Sequence, residues 1–421
     1  MNRKRLVRLP IWLSVASTLA SGYAQGPKPA MYGVTDLGTL GGTYSYSYTI
    51  NNASAVAGGA ATPDQVDGIT TTAFVWYRGN LVSLGTLGGA DCPSCISENA
   101  ATNMNGVSVV ISETASIDSN GEDFCGFGTN RQCLAAVWQN GSLTALPMLS
   151  GGNNSQVYFM NKAGEAIGFS ETGTSDSNCA MPHQRFQFEA VKWSASGKPQ
   201  ALQPLQGDTV SFGLGVNDLG QAVGVSGTCS DTTFPPVFVP AGPHAVIWDR
   251  NGVPTNLPTL PGATGDNVAS SINNLGDVVG TQAISDGTVH SYLWNKATGI
   301  ADLMMPGMFV TVAPCCHSIN EQRQIVGFGF DENGPHTFIW QNGNFTDLNT
   351  VLVEDSPWYI INAASINSAG QIAATGMNIY TGEVHAVLLS PLPSNGAPPA
   401  RGTTRVPPIP AAFQSKYLQK R

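Results

Sequence analysis

The ten residues SINNLGDVVG, from Ser271 to Gly280, have the pattern of a strand, a tight turn and a second strand. Nearly the same phrase, GVNDLGQAVG, stands at Gly215 to Gly224, and in both an Asn is followed three residues later by a Gly. A type I turn favours Asn at its first position, where the side chain bonds its own backbone, and Gly at its fourth, where positive φ costs little. The phrase therefore predicts a β-hairpin, and its recurrence predicts a repeat fold.

The repeat extends along most of the chain. An apolar residue followed by Asn recurs at one position in each of seven units, at Asn51, Asn105, Asn161, Asn217, Asn273, Asn320 and Asn367. In six of the units a second apolar strand then ends in Trp, at Trp76, Trp138, Trp193, Trp248, Trp294 and Trp340. A glycine turn and a Leu-rich strand usually follow. Each unit of roughly 46 to 62 residues thus offers four short strands, the content of one blade of a β-propeller.

The two ends of the repeat region match each other. The stretch MYGVTDLGTLGG at Met31 to Gly42 resembles NLVSLGTLGG at Asn80 to Gly89, which holds the fourth strand of a unit, whereas the last unit stops after its third strand. We therefore predict an all-β fold, a seven-bladed β-propeller over residues 31–392, closed by an N-terminal strand that completes the last blade and removes exposed sheet edges. The alternative, an open β-solenoid, has no use for matching ends.

The whole unit resembles the HAF-repeat family of bacterial extracellular proteins over Gly33 to Leu392, although the tripeptide His-Ala-Phe itself never occurs. The resemblance implies secretion and brings no assigned activity and no catalytic residues. Its His position is filled at His244, His290, His336 and His385, and by Thr72, Leu134 and Glu189 elsewhere. Equivalent positions lie in different blades, too far apart for zinc bonds of about 2.1 Å, so we predict local hydrogen bonds there. His183 and His317 stand outside this position.

Composition and the chain ends restrict the class of protein. Of the 421 residues only 11% are charged, while Gly reaches 48 and Pro 27, and the net charge of -9 excludes the basic footprint of nucleic-acid binding. Residues 1–24 have the basic start and short apolar stretch of a secretory signal peptide. No later segment is apolar enough to span a membrane. We predict a secreted or periplasmic bacterial protein with a flexible, Pro-rich basic tail at 393–421.

The eight cysteines suit an oxidising compartment, and we predict that they form disulfides whose pairing the sequence leaves open. They are Cys92, Cys95, Cys125, Cys133, Cys179, Cys229, Cys315 and Cys316. The CxxC at Cys92 also resembles half of a redox or zinc motif, but it has no matching partner. In a four-stranded blade, all eight fall in second-to-third or blade-to-blade connections, which lie at one end of the propeller.

The long connections of the second, third and fourth units predict the functional face, because binding residues usually lie on loops of a rigid scaffold. The candidate ligand-binding residues there are Phe124, Phe127, His183, Arg185, Phe186 and Phe234. We predict a binding or interaction module for a glycan, a peptide or an envelope partner. The alternative is an extracellular polysaccharide hydrolase or lyase with two carboxylates at the propeller axis, about 5 to 9 Å apart. The order of residues nominates no such pair and no catalytic residue.

The segment Asp118 to Asp123, DSNGED, superficially resembles a calcium-binding loop. It lacks the full ligand spacing and the terminal Glu of such loops. We therefore predict a polar hairpin tip, with no bound metal or other cofactor, and keep calcium as the alternative.

Overall fold

The computed structural model describes residues 30–65, 70–179, 184–232, 241–303, 307–312, 317–332 and 334–393. The predicted signal peptide and all but the first residue of the predicted tail lie outside these ranges. The described residues contain 28 β-strands and no α-helix. Short 3-10 turns occupy Gly89–Asp91 and Leu348–Thr350.

The strands follow the sequence repeat in groups of four, and we number the groups as units 1 to 7. The chain begins with β1 (Tyr32–Asp36), and units 1 to 3 contain β2 (Ser45–Ile50), β3 (Val56–Ala60), β4 (Thr72–Tyr77), β5 (Asn80–Gly85); β6 (Ser97–Thr102), β7 (Ser108–Ile117), β8 (Arg131–Gln139), β9 (Ser142–Ala145); and β10 (Ser155–Met160), β11 (Ala166–Ser175), β12 (Phe186–Trp193), β13 (Pro199–Leu202).

Units 4 to 7 contain β14 (Val210–Val216), β15 (Ala222–Gly227), β16 (His244–Trp248), β17 (Pro254–Asn256); β18 (Ala263–Ile272), β19 (Val278–Ile284), β20 (Val289–Asn295), β21 (Gly299–Asp302); β22 (Val310–Val312), β23 (Ile325–Asp331), β24 (Gly334–Gln341), β25 (Asn344–Asp347); and β26 (Trp358–Ile366), β27 (Ile372–Asn378), β28 (Val384–Pro391).

Within each unit, consecutive strands pair antiparallel. Units 5 and 6 share one eight-stranded sheet, because Val289 of β20 pairs in parallel with Val310 of β22. In unit 7 the fourth position is taken by β1, which pairs antiparallel with β28. We call the end with the first-to-second and third-to-fourth turns the turn end. The opposite end, with the second-to-third and unit-to-unit connections, is the loop end.

The repeated phrase forms the hairpin that its sequence predicts. In unit 5, the Asn273 side-chain oxygen accepts hydrogen bonds from the backbone N–H groups of Leu275 and Asp277, both at 3.0 Å. Gly276 has a φ of 74° and donates its N–H to the Asn273 carbonyl at 3.2 Å. The Asn therefore closes its own turn, and Gly fills the position where a side chain would strain the backbone.

In unit 2 the turn residue is Asn103, not Asn105. The Asn103 side-chain oxygen accepts the N–H groups of Asn105 and Val107, the pattern of the other units. Gly106, which has a φ of 74°, stands three residues after Asn103. The N-x-x-G spacing therefore identifies the turn, whereas the apolar residue before Asn105 does not.

These turn asparagines also join neighbouring units at the turn end. In six of the seven units the side-chain amide donates to the backbone carbonyl of the Asn in the next unit, at 2.9 to 3.1 Å, from Asn51 to Asn103, Asn161 to Asn217, Asn217 to Asn273, Asn273 to Asn320, Asn320 to Asn367 and Asn367 to Asn51. Asn103 instead approaches the Met160 sulfur at 3.9 Å. We call these seven residues the asparagine ring. It links the last unit to the first.

The apolar core lies between the faces of neighbouring sheets. One cluster joins Val109 and Ile111 of unit 2 to Val157 and Trp193 of unit 3. Another joins Ile50 and Phe74 of unit 1 to Ala373 and Leu388 of unit 7, together with Leu37, which follows β1. Each sheet is thus covered by its neighbours. This packing fixes the position of the first strand of each unit, which ends in a turn at the turn end.

The repeated histidines have local carboxylate partners, as the sequence predicts. The Nδ1 atoms lie 2.7 to 3.0 Å from carboxylate oxygens in the pairs His244 and Asp208, His290 and Asp302, His336 and Asp347, and His385 and Asp36. In three pairs the carboxylate lies on the fourth strand of the sheet. His385 on β28 bonds Asp36 on β1, so the N-terminal strand makes the same contact as β21 and β25.

We expect His336→Gln to weaken the pH dependence of stability. The hydrogen bond with Asp347 raises the pKa of His336 above its usual value, against the effect of burial. This contribution is complete below a pH of about 6.5 and is lost as the pH rises through the folded-state pKa. In urea titrations, the loss of unfolding free energy in this variant should be about 1 kcal/mol larger at low pH than at high pH. His244→Gln, whose side chain is 40% exposed, is the control; an equal change in both variants would contradict the prediction.

Candidate functional site

Three disulfides hold the connections of the loop end. They join Cys92 to Cys95, Cys125 to Cys133 and Cys179 to Cys229. The prediction of disulfides is confirmed for these six residues, whereas Cys315 and Cys316 lie outside the described residues. The last bond ties the long connection of unit 3 to that of unit 4. Asp176 lies close to this pair, but sulfurs that are bonded to each other leave no thiolate to bind a metal.

The ligand-binding residues that the sequence predicts on this face differ in how exposed they are in the structure. Phe124 is 3% exposed and packs against Phe169 with 5.2 Å between ring centroids, so it has little surface for a ligand. Phe127 and Phe186 are half-buried, and Arg185 is exposed. His183 and Phe234 lie outside the described residues. The assignment of these residues to a binding surface stays a prediction.

The loop end instead contains two fully buried carboxyl groups, those of Glu122 and Glu171. The Glu171 Oε2 atom accepts the backbone N–H groups of Asn153 and Asn154 at 2.9 and 2.8 Å. Burial, followed by the neighbouring Glu122, raises the pKa of Glu171 to about 8. Burial also raises the pKa of Glu122. Neither side chain has exposed surface, so a substrate cannot reach the pair in this conformation.

A recess opens at the turn end, opposite to the face that the sequence predicts. Its rim consists of the residue that follows the ring asparagine in each unit, namely Asn52, Met104, Lys162, Asp218, Asn274, Glu321 and Ser368. Its inner wall is mostly apolar and includes Ile50, Ala101, Phe159, Met160, Val216 and Ile272. An apolar wall with a polar rim is typical of small-molecule sites.

The rim residues hold one another in place. Three backbone N–H groups donate to the side chain of the next rim residue, from Lys162 to Asp218 at 3.0 Å, from Asp218 to Asn274 at 2.8 Å and from Asn274 to Glu321 at 3.2 Å. A fourth such bond, from Ser368 to Asn52 at 2.9 Å, joins the last unit to the first. The polar groups of the rim are therefore fixed by the scaffold, which lowers the entropic cost of binding a ligand.

His317 lines the inner part of the recess and has an unusual backbone. Its φ is 83°, a region that costs a non-glycine residue on the order of 1–3 kcal/mol. Ser271 on one side and Ser365 and Ile366 on the other hold its backbone by hydrogen bonds of 3.1 to 3.2 Å. Two neighbouring units thus impose this conformation.

The imidazole of His317 stacks on the Phe159 ring with 5.4 Å between centroids. Burial is the main cause that lowers the pKa of His317 to about 4, so the ring is neutral at ordinary pH. Its Nδ1 atom is buried and has no hydrogen-bond partner among the described residues. A buried polar atom without a partner is unusual in a folded protein. The atom has no exposed surface, so a ligand can bond it only where the recess widens to admit one.

Asp218, one of the two carboxylates of the rim, does not have the properties of a general acid. Asn274 bonds both Asp218 and Glu321. Burial acts to raise the pKa of Asp218, but the hydrogen bonds from Asn274 and Lys162 outweigh it and lower the pKa below its usual value. A general acid for glycosidic cleavage needs a raised pKa. Asp218 is therefore suited to hydrogen bonding rather than to the role of a general acid.

Comparisons with known proteins identify the fold but not a family. No family model matches the sequence, and the search of curated proteins found no match. Among solved structures, the chain is similar to a puromycin hydrolase mutant complexed with PGG, with a TM-score of 0.50 and 10% identity over 85% of this chain and 54% of that one. The chain thus spans about half the length of that hydrolase. The chain has a β-propeller fold.

Two further solved structures are similar at lower scores. A streptogramin B lyase matches with a TM-score of 0.47 and 10% identity, over 86% of this chain and 98% of that one. The β-propeller domain of the Trilobed protease from Pyrococcus furiosus also scores 0.47 at 10% identity, over 82% and 93%. At these identities the likeness concerns the fold alone. In the part of the chain that the structure describes, no helix has the length and apolarity to cross a membrane.

Sequence reasoning missed both the recess and the buried glutamates of the propeller, although a signal existed for each. Glu171 and Glu113 each follow a Ser and stand ten residues after the ring asparagine of their unit. Aligning the units on N-x-x-G would have shown this shared position. His317 is one of the two histidines, with His183, that have no place in the repeat.

Proposed function

We propose that the chain is a secreted binding module, a seven-bladed β-propeller in which β1 completes the last blade, and that its ligand occupies the recess. The observation that carries the binding function is the unpartnered Nδ1 atom of His317, held by a constrained backbone inside an apolar wall. Structural residues rarely combine backbone strain with an unsatisfied buried atom, whereas binding sites do.

Closure by β1 is supported by three contacts between the ends of the chain. β1 pairs with β28, His385 bonds Asp36 as the histidines of units 5 and 6 bond their fourth strands, and Asn367 bonds Asn51 in the asparagine ring. Four strands in each unit then give seven blades. Secretion is supported by the three disulfides, since such bonds persist in oxidising compartments.

The chemistry of the rim favours a neutral saccharide. Lys162 is paired with Asp218 at 3.1 Å, and the further carboxylate of Glu321 leaves the rim without the positive charge that an anionic ligand needs. Amide and carboxylate groups bond hydroxyl groups well, and the apolar wall with Phe159 suits the C–H face of a sugar ring. A glycan end that enters the recess would use both.

We expect the purified protein to bind a neutral saccharide on a glycan array, and His317→Phe to weaken that binding about tenfold. The variant keeps the ring stacked on Phe159 and removes the nitrogen, so the loss corresponds to one hydrogen bond. Val253→Asp is the control, because Val253 is 59% exposed on an outer turn of the same end. Calorimetric titration of the array hit gives the affinities.

Two results would overturn parts of this proposal. Equal affinities of His317→Phe and the unchanged protein would remove the recess as the binding site. Binding of a peptide library, with no saccharide retained on the array, would replace the glycan by a peptide ligand.

A further inference from the structure

The first strands of units 1 to 3 lie side by side and bring two tyrosines and a glutamate together. Strand β2 neighbours β6, and β6 neighbours β10. The Tyr46 hydroxyl of unit 1 donates to the Glu98 Oε1 atom of unit 2 at 2.5 Å, and the Tyr48 hydroxyl donates to the Oε2 atom at 2.7 Å. The Thr71 hydroxyl lies 3.0 Å from that of Tyr46 and helps to hold it. Both carboxyl oxygens of Glu98 thus accept a hydrogen bond, an arrangement that suits an ionised group.

Three tyrosine rings lie close to this carboxyl group. The rings of Tyr46 and Tyr48 stand at 86° to each other, with 5.4 Å between their centroids. Burial, followed by the charge of Glu98, raises the pKa of Tyr158 on β10, so the third ring belongs to the same group of side chains. We call these four residues the tyrosine cluster. All four are half-buried, and each therefore keeps some surface that a ligand can contact.

The tyrosine cluster lies toward the loop end, which the sequence predicts to be the functional face. Tyr46 and Glu98 stand five residues before the ring asparagines Asn51 and Asn103. About 16 Å of extended strand therefore separates them from the turn end. The cluster is thus a different place from the recess, although the same first strands form both.

The charge of Glu98 has no cationic partner in the described parts of the chain. Burial raises the pKa of Glu98, the hydroxyl groups of Tyr46 and Tyr48 act against it, and no Lys, Arg or His side chain contributes. Burial, followed by the charge of Glu98, also raises the pKa of both tyrosines well above the usual value, so their hydroxyl groups stay protonated. The hydroxyl groups satisfy the hydrogen bonds of the carboxylate but not its charge, and a partly buried charge without a counter-charge is costly.

We propose that the tyrosine cluster binds the methylated ammonium group of a small organic cation. The faces of aromatic rings attract such a group, and a neighbouring carboxylate strengthens the attraction. A calcium ion is less suited, because it needs six to eight oxygen ligands and the cluster contains one carboxylate. An unmethylated ammonium group brings three N–H donors, whereas both Glu98 oxygens already accept hydrogen bonds.

Calorimetric titration of the full chain with choline at pH 8 tests this site. We expect a dissociation constant of about 10⁻⁴ M, which is reasonable for a ligand of this size. Two probes isolate the features that the cluster should recognise, namely ethanolamine, which lacks the methyl groups, and the uncharged isostere of choline, in which a carbon replaces the nitrogen. Each should bind at least about tenfold more weakly. Absence of choline binding, or equal affinity for choline and either probe, would overturn the proposal.

Substitution of Glu98 tests the role of the charge. Glu98→Gln keeps the shape of the side chain and should lose at least about tenfold in choline affinity. Glu189→Gln is the matched control, because Glu189 is also half-buried and accepts a hydrogen bond from Gln203 at 3.2 Å; it should bind choline as the unchanged protein does. An unchanged affinity in Glu98→Gln would overturn the proposal. Saccharide binding in the recess does not depend on Glu98, so the two proposals fail independently.

Two substitutions of Tyr48 test the role of the aromatic ring. Tyr48→Leu removes the ring and should weaken choline binding about tenfold, whereas Tyr48→Phe keeps the ring and should weaken it less than about threefold. Circular dichroism spectra of both variants check that the chain is folded. Equal losses in the two variants would mean that the ring does not contact the cation, which would overturn the assignment of this cluster.

Discussion

Trp193→Ala is expected to lower the free energy of unfolding by about 3–5 kcal/mol. The Trp193 side chain is 0% exposed, and it lies in the cluster between units 2 and 3 with Val109, Val157 and Val191. Its indole N–H donates to the Pro147 carbonyl of unit 2 at 2.7 Å. The substitution leaves a large cavity and an unpaired carbonyl at the same contact, and both add to the cost.

Trp76→Ala is the control, because Trp76 ends the equivalent strand of unit 1 but is only half-buried. We expect a loss of about 1–2 kcal/mol there, since the burial is partial. The loss of unfolding free energy for Trp193→Phe should lie between those of the two alanine variants, because this substitution keeps most of the packing and loses the indole hydrogen bond. Urea denaturation, followed by circular dichroism, measures all three. Equal losses for Trp193→Ala and Trp76→Ala would contradict the unequal burial of these side chains.

The six tryptophans illustrate how far the sequence predicts this fold. A Trp near the end of the third strand in six of the seven units predicts the repeat, but it does not show which indoles are buried. Trp193 and Trp248 are buried because carbonyls of the preceding unit, at Pro147 and Gln203, meet their N–H groups at 2.7 and 2.8 Å. Such contacts depend on the length and course of the connection between units, which the repeat pattern does not contain.

The turn of unit 2 shows that the N-x-x-G spacing locates a hairpin better than an apolar residue before the asparagine does. Asn105 follows an apolar residue, whereas Asn103 has a glycine three residues later. The turn requires the glycine conformation at its fourth position, and it does not require an apolar residue before the asparagine. The glycine at the fourth position therefore locates the hairpin correctly. The apolar residue before the asparagine, which the turn does not require, places the hairpin two residues too late.

The recess could not be predicted from the order of residues for a related reason. First strands of units 1 to 5 have a register shift just before the ring asparagine. A bulge of this kind reverses which side chains face a given side of the strand. Residues such as Phe159 therefore line the recess although simple alternation does not place them there. The lining also comes from units far apart in the sequence, and the order of residues alone does not show that they meet.

Removal of the residues before Gly41 is expected to destabilise the protein by about 5 kcal/mol or more, because this deletes β1. Tyr32 and Leu37 are 3% and 5% exposed. Tyr32 packs in the cluster between units 6 and 7, and Leu37 packs in the cluster between units 7 and 1. The backbone of Tyr32 also bonds Val351 and Val353 at 2.8 and 3.0 Å. Without β1, the edge of β28 is open to solvent and to other chains. Thermal unfolding and light scattering would show a lower midpoint and aggregation.

A peptide of residues 30–39, added to the shortened chain, is expected to restore the unfolding midpoint in a concentration-dependent way. Its backbone can pair with β28 in the register that joins Val34 to Leu389 and Thr35 to Leu388, and its two buried side chains refill their clusters. The same peptide with Tyr32→Asp and Leu37→Asp is the control, because a buried charge at either position costs more than the strand pairing contributes. If the shortened chain unfolds at the same temperature as the full chain, or if both peptides act alike, β1 does not close the propeller. A rescue by the unchanged peptide alone would mean that closure depends on these contacts rather than on the covalent connection.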